Sequence, residues 1–406
     1  SGAQLVAFAI LARSLGPEQF GALLTITIIT GIAINFVGLG ASEPMVRRVA
    51  VDPALYPRML GHNLILGSAS GLLVCPLTAI VLALYTASAG HGTLGMGTML
   101  AFAFANTILL HIVLLSEQAF ISRGQFGAAN GVNVGLGTTR VATAALGCLA
   151  FGVDDLASWA RWHLAGYAVL ALLCICAVRP LGRPDWGIRR EDLRQGFFFQ
   201  IAQLGLMLRQ GVDILVLGLV APAALVANFG IARRIADTSY LTVNALHRIM
   251  YPRLAVAMKS GLVSGRWLAL RVAAAAFAIA LATSVGVYLL APLLPVIFGP
   301  GYEGSVPFLR ALCFVLIPYA LWTVGAETLG ASAHHGLRAM LIGIGILGVA
   351  LIALATYLFG TTGTIITIYC VECVLAFGFW WLILRYRFAS PAGAGTSGEM
   401  RCGEAS

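Results

Sequence analysis

Apolar runs of about 20 residues, each long enough to span a bilayer as a helix, recur along the whole chain with short polar stretches between them. They predict twelve spans, at roughly 1–14, 20–43, 62–86, 95–117, 131–152, 157–178, 197–219, 225–250, 268–293, 304–328, 339–359 and 363–385. The first is half a span. Ser1 to Leu11 gives about ten apolar residues before Arg13, so its helix is expected to begin upstream.

The polar stretches alternate in charge. One set holds Arg47, Arg48 and Arg58; Arg123; Arg179, Arg183, Arg189, Arg190 and Arg194; Arg253, Lys259 and Arg266; Arg338; and Arg385, Arg387 and Arg401. The other set, around His91, Asp154, Pro222, Gly301 and Thr362, has no Lys or Arg. The positive-inside rule places the first set, and with it both termini, in the cytoplasm. A wrong span count would scramble this alternation. The longest basic stretch, 179–196, falls at mid-chain, and a weak repeat at half the chain length pairs Pro17 with Pro222 and Pro44 with Pro252. These features predict an all-α polytopic membrane protein of two six-helix lobes around a central cavity. The lobes are residues 1–178 and 197–387, with a basic connector at 179–196 and a disordered tail at 388–406.

Composition agrees. The chain is 59% hydrophobic and 10% charged, against about 25% charged in a soluble domain. The net charge of +9 resides mostly in the basic loops, so it is no nucleic-acid signal. Seven of the eight cysteines lie in apolar runs. The Cys370/Cys373 CxxC is in a helical run without a second pair, so the cysteines read as packing residues. No cleavable signal peptide is evident.

The informative residues are charges inside the apolar runs. Arg140, Arg209, Arg233 and Arg234 lie near the middles of spans. Each costs roughly 2.5–3.5 kcal/mol at a helix centre, on the order of 10–14 kcal/mol together, if it faces lipid. They are therefore expected to face an interior and to form a cationic path for a negatively charged substrate. Arg209–Asp213 and Arg233–Asp237 stand four apart, a spacing that also suits intrahelical ion pairs. Arg140 and Arg234 have no such partner and are the better ligand candidates. Four arginines less two aspartates leave a charge that a diphosphate matches, and the guanidinium fork suits phosphate. Asp213, Asp237 and Glu372 are candidates for coupling to a proton or sodium gradient.

Arg13, Arg161 and Arg310 lie near the outer ends of spans, where snorkelling explains them and an outer gate is the alternative. Trp159, Trp162, His163 and Tyr167 share a face of the sixth span. The interface is the favoured reading for the tryptophans, and stacking on sugar rings is the other. Trp380 and Trp381 read as an interfacial belt, and Pro318 is expected to kink the tenth span. No catalytic constellation, nucleotide loop or metal-spaced His pair is present, so no enzyme activity, cofactor or metal is expected.

Several stretches resemble a known family. Ala12-Arg-Ser-Leu-Gly-Pro-Glu-Gln-Phe-Gly21 resembles the "aR-x-LG-x-x-x-FG" stretch of polysaccharide biosynthesis flippases (Wzx-type O-antigen translocases), within the multidrug/oligosaccharidyl-lipid/polysaccharide exporter superfamily. Val37-Gly-Leu-Gly-Ala-Ser followed by Arg47 and Arg48 is similar as well. Val212–Gly218 resembles its "D-x-x-x-LG", and Asn228–Ile235 its "G-x-Y/F-x-x-A-x-x-I", with Ala227 in place of the usual Gly. Leu294–Tyr302 resembles "P-x-x-FG-x-x-Y". The likeness runs over nearly the whole chain, in order and spacing. It implies a V of two lobes and alternating-access transfer of an undecaprenyl-pyrophosphate-linked oligosaccharide to the outer leaflet. The setting would be the bacterial inner membrane, for lipopolysaccharide O-antigen or exopolysaccharide assembly alongside a polymerase or ligase. A multidrug or cation exporter of the same fold is the alternative, disfavoured because arginines outnumber central acids. A membrane glycan polymerase or ligase is remote, because the outer loops are short and lack Lys and Arg.

Overall fold

A computed structural model describes residues 2–89, 94–188, 193, 196, 207–209, 211–258, 262–332 and 334–385. The connector residues Arg189, Arg190 and Arg194 and the tail beyond 385 lie outside them. Every regular element among the described residues is helical. In chain order these are α1 Gly2–Ala33, α2 Ser42–Val51, α3 Tyr56–Ser88, α4 Met96–Phe104, α5 Leu110–Ser122, α6 Phe126–Ala144 and α7 Leu156–Val178. Then come α8 Gly211–Val220, α9 Ala223–Ala257, α10 Leu262–Leu290, α11 Leu294–Phe298, α12 Ser305–Leu312, α13 Leu316–Ala331 and α14 His335–Arg385. Among the described residues, 7 helical stretches are long and apolar enough to cross a membrane. The protein is a multi-pass integral membrane protein.

Twelve is an approximate count, because some expected spans are fused, others fall short of that hydropathy, and much of the expected span 197–219 lies outside the described residues. α1 carries the first two, broken at Gly16 (φ 71°, ψ 170°) ahead of Pro17. α14 carries the last two, broken at Gly360 (φ 59°, ψ −145°). Both breaks use a left-handed backbone that glycine adopts at no steric cost. The second span stops short of the expected residue 43. Two 3-10 turns, Ile34–Phe36 and Gly38–Gly40, end it, and Leu39 is left-handed (φ 47°). In the tenth span the expected bend appears ahead of Pro318. Proline has no N–H to give the Phe314 carbonyl, and a 3-10 turn, Cys313–Val315, separates α12 from α13 there.

The chain divides into two compact units. One gathers the chain up to Ala232 with Pro292–Phe308 and Ala353–Thr361. Its core includes Met45, Tyr56, Met59, Val113, Phe120, Tyr167 and Leu170. The other gathers Arg233–Ala291, Leu309–Ile352 and the chain from Thr362 on, around Val243, Ala276, Leu316, Val324 and Phe379.

Three of the family-like stretches meet inside the first unit. The Arg13 guanidinium donates to the Ile297 carbonyl at 2.8 Å and to the Val296 carbonyl, closing the last turn of α11, whose carbonyls lack helical partners. The Tyr302 hydroxyl donates to the Ala12 carbonyl at 3.1 Å, in the turn before the Gly16 break. Its ring meets Phe20 edge-on at 6.2 Å, and burial pushes its phenol above the ordinary tyrosine range, so it stays a donor. Asn228 adds an amide bond to the Gly301 carbonyl at 3.1 Å. At Gly21 the start of α9 comes so close that a Cβ there would stand 2.1 Å from the Ala223 carbonyl oxygen.

The α7 start is capped by Asp155, whose carboxylate accepts from the Ala157 and Ser158 amides at 2.8 and 2.9 Å. The Ser158 hydroxyl and amide, more than the opposing desolvation, hold its carboxyl below the usual range. The stabilisation is thus present above the unfolded-state pKa and is lost as pH falls through the lowered folded value. Asp155→Ala is expected to cost about 1 kcal/mol. An unchanged thermal midpoint in detergent at neutral pH would count against the cap.

Candidate functional site

In the first unit, α1, α4, α6 and α7 line a half-open cavity. Arg140, at mid-span on α6, lines it, and its Nε donates to the Tyr167 hydroxyl on α7 at 3.0 Å. One turn before Tyr167, the His163 ring lies 4.4 Å from the tyrosine ring. His163 Nε2 stands 3.0 Å from Asn106 Oδ1 and donates to it when that nitrogen is protonated. Asn106 sits in a π-helical turn, Ala105–Leu109, that carries α4 into α5 and re-aims the side chain inward. Trp159 and Phe102 complete an aromatic wall around His163, with centroids 5.7 and 5.9 Å away. No Asp or Glu is among the described residues lining the cavity. The site therefore offers a fixed cation, aromatic faces and neutral hydrogen-bonding groups, a donor set suited to an anion joined to a sugar.

This corrects the interfacial reading of Trp159, which is 3% exposed and faces protein. An aromatic residue near a helix end looks the same in sequence whether it meets headgroups or another helix. Trp162 instead packs on Phe151 at 4.8 Å. Among the belt residues, Trp380 donates to the Leu321 carbonyl at 2.9 Å, while Trp381 lies under the Arg385 guanidinium. Sequence reading passed over Asn106. A single amide in an apolar run was the only signal available.

The second unit holds a second polar cluster. Arg233 and Asp237 form the expected i,i+4 pair at 2.7 Å, with side chains 8% and 23% exposed. Tyr240, one turn on, lies within electrostatic reach of Arg233, Asp237 and Glu372. Its ring stacks on Tyr319 at 4.1 Å, and Tyr319 meets Trp322 edge-on. Trp322 Nε1 donates to Glu372 at 2.5 Å. Glu372, buried on α14, is thus tied through aromatic side chains to an ion pair on α9, a link no sequence spacing could reveal.

The remaining candidates are placed as follows. Asp213 is buried, with its carboxylate accepting from the Ile214 amide at 2.9 Å, and Arg209 is half-buried one turn before it. Arg234 is half-buried. Arg161 is exposed and bonds Ser158 at 3.0 Å. Arg310 lies 4.9 Å over the Tyr288 ring. Arg13 closes α11, as described. No group of His, Cys, Asp and Glu among the described residues could hold a metal.

This architecture is an all-helical, multi-pass membrane fold. Its fold is similar to a multidrug resistance MATE family transporter of the MOP superfamily in an inward-facing conformation, at TM-score 0.77 and 18% identity over 94% of both chains. It is also similar to the lipid II flippase MurJ in an inward closed conformation, at TM-score 0.68 and 12% identity over 94% of this chain and 86% of that one. No curated protein sequence matches significantly. The model of the family described as "Polysaccharide biosynthesis protein" matches residues 1–258. The chain belongs to that family.

Proposed function

We propose that the protein is a flippase that moves an undecaprenyl-pyrophosphate-linked oligosaccharide from the inner to the outer leaflet by alternating access. The cavity around Arg140 carries this reading, because it presents a guanidinium and aromatic faces without an opposing carboxylate. Membership of the polysaccharide biosynthesis family supports a glycan cargo. A glycan diphosphate cannot cross about 30 Å of hydrocarbon unaided, whereas its lipid tail can remain in the bilayer. Arg140 and Arg209 in the first unit and, separately, Arg233 and Arg234 in the second are the proposed cationic contacts for the cargo. Residues 1–178 and 197–387 are the proposed lobes. The setting is the bacterial inner membrane with both termini cytoplasmic, where a polymerase or ligase consumes the product.

The test is a proteoliposome assay with a fluorescent undecaprenyl-pyrophosphate oligosaccharide and a membrane-impermeant quencher. Protein-dependent transfer between leaflets is expected. Absence of transfer, together with export of an organic cation by the same vesicles, would replace the flippase with a cation exporter. Glu372→Gln is expected to weaken dependence of transfer on a proton or sodium gradient. The glutamine carbonyl still accepts from Trp322, so folding is kept. An identical gradient response in the variant would leave Glu372 only as that acceptor.

A further inference from the structure

A second, half-open cavity in the first unit lies between α3, α5 and α7, beside the chain that follows α7. Leu60 and Leu64, Ile112 and Leu115, and Ile175 and Val178 line it. Ser116 also reaches it, but its hydroxyl is spent on the Ile112 carbonyl of its own helix at 2.8 Å. The walls thus ask for hydrocarbon.

At one end stands the exception, Arg179. It is exposed, and among the described residues no carboxylate pairs with it. It belongs to the arginine-rich set of loops, which the charge bias assigns to the leaflet bearing anionic lipids. The wall beyond it is built. The Asp185 amide donates to the Pro57 carbonyl at 2.8 Å, and Arg58 pairs with the Asp185 carboxylate at 3.2 Å. The approach is so close that a Cβ on Gly61 would stand 2.0 Å from the Asp185 carbonyl oxygen.

We propose that this cavity seats one acyl chain of an anionic phospholipid, with its phosphate on Arg179. The occupant follows from the two ends of the site. The apolar body takes the chain and the unpaired guanidinium takes the phosphodiester. The lipid is a resident partner of the first unit, and the proposal does not rest on the translocation reading.

The test uses the full chain in phosphatidylcholine nanodiscs with a trace of phosphatidylglycerol bearing a diazirine on its acyl chain. After irradiation, label is expected on the peptides holding Ile112, Leu115 and Ile175. Arg179→Ala, an exposed change that leaves packing alone, should cut that label roughly fivefold. Arg183→Ala should leave it at the parent level, and Leu115→Trp, which fills the cavity, should abolish it. The proposal is overturned if a diazirine phosphatidylcholine labels the same peptides equally, or if label falls on unrelated helices. It is overturned too if unlabelled undecaprenyl phosphate, and not unlabelled phosphatidylglycerol, competes the label away.

Discussion

If the proposed function holds, Arg140→Ala is expected to lower glycolipid transfer roughly ten- to a hundredfold, the equivalent of losing one hydrogen-bonded charge contact of about 1.5–3 kcal/mol. The direction of its other effect separates function from folding. Removing a mid-span arginine relieves an insertion cost of roughly 2.5–3.5 kcal/mol, so the variant should reach the membrane at least as well as the parent. The Tyr167 hydroxyl loses its partner but still faces the cavity, where water can replace the guanidinium. Arg140→Lys should recover only part of the activity, because an ammonium keeps the charge and loses the planar fork. Transfer at the parent rate in the alanine variant, at equal abundance in the vesicles, would remove Arg140 from the path. Arg234→Ala in the same assay asks the same of the second unit.

Gly21→Val should destabilise the folded protein by about 1–3 kcal/mol or more, seen as a lower thermal midpoint in detergent and early aggregation. The obstacle is backbone. A Cβ at Gly21 would meet the Ala223 carbonyl oxygen at 2.1 Å and the Ala223 Cα at 3.3 Å, so no rotamer change relieves it. The matched control is Gly131→Ala on α6, where an added Cβ meets nothing within 4 Å and helix propensity should make the change neutral or mildly stabilising. Equal midpoints for Gly21→Val and the parent would show that α1 and α9 can separate without cost.

What the sequence revealed was the part of the fold set by the bilayer. Apolar length is one-dimensional, so an all-helical membrane fold of about twelve spans was readable, with the count only approximate. The breaks at Gly16 and Gly360 were not visible as helix-preserving kinks, because a positive φ leaves no trace in hydropathy. Among the candidate residues, pairs on one helix were legible. Arg233–Asp237 follows from spacing alone. Pairs between helices were not. Arg140 with Tyr167, His163 with Asn106, and Trp322 with Glu372 each need a packing register that composition does not encode. The family-like stretches were recognised as separate strings, and their ordering gave no hint that three of them pack on one another. Their glycines and aromatics are kept together by contact, not by a shared chemistry.

That packing has a consequence for biogenesis. Arg13 and the Ile297 carbonyl it bonds are 284 positions apart. At roughly 5–20 residues per second, the ribosome delivers α11 on the order of 15–60 s after Arg13. Throughout that interval the Arg13 contact to α11 cannot form. A nascent chain that stops short of Leu294 carries the Ala12–Gly21 half of the closure without the half that completes it.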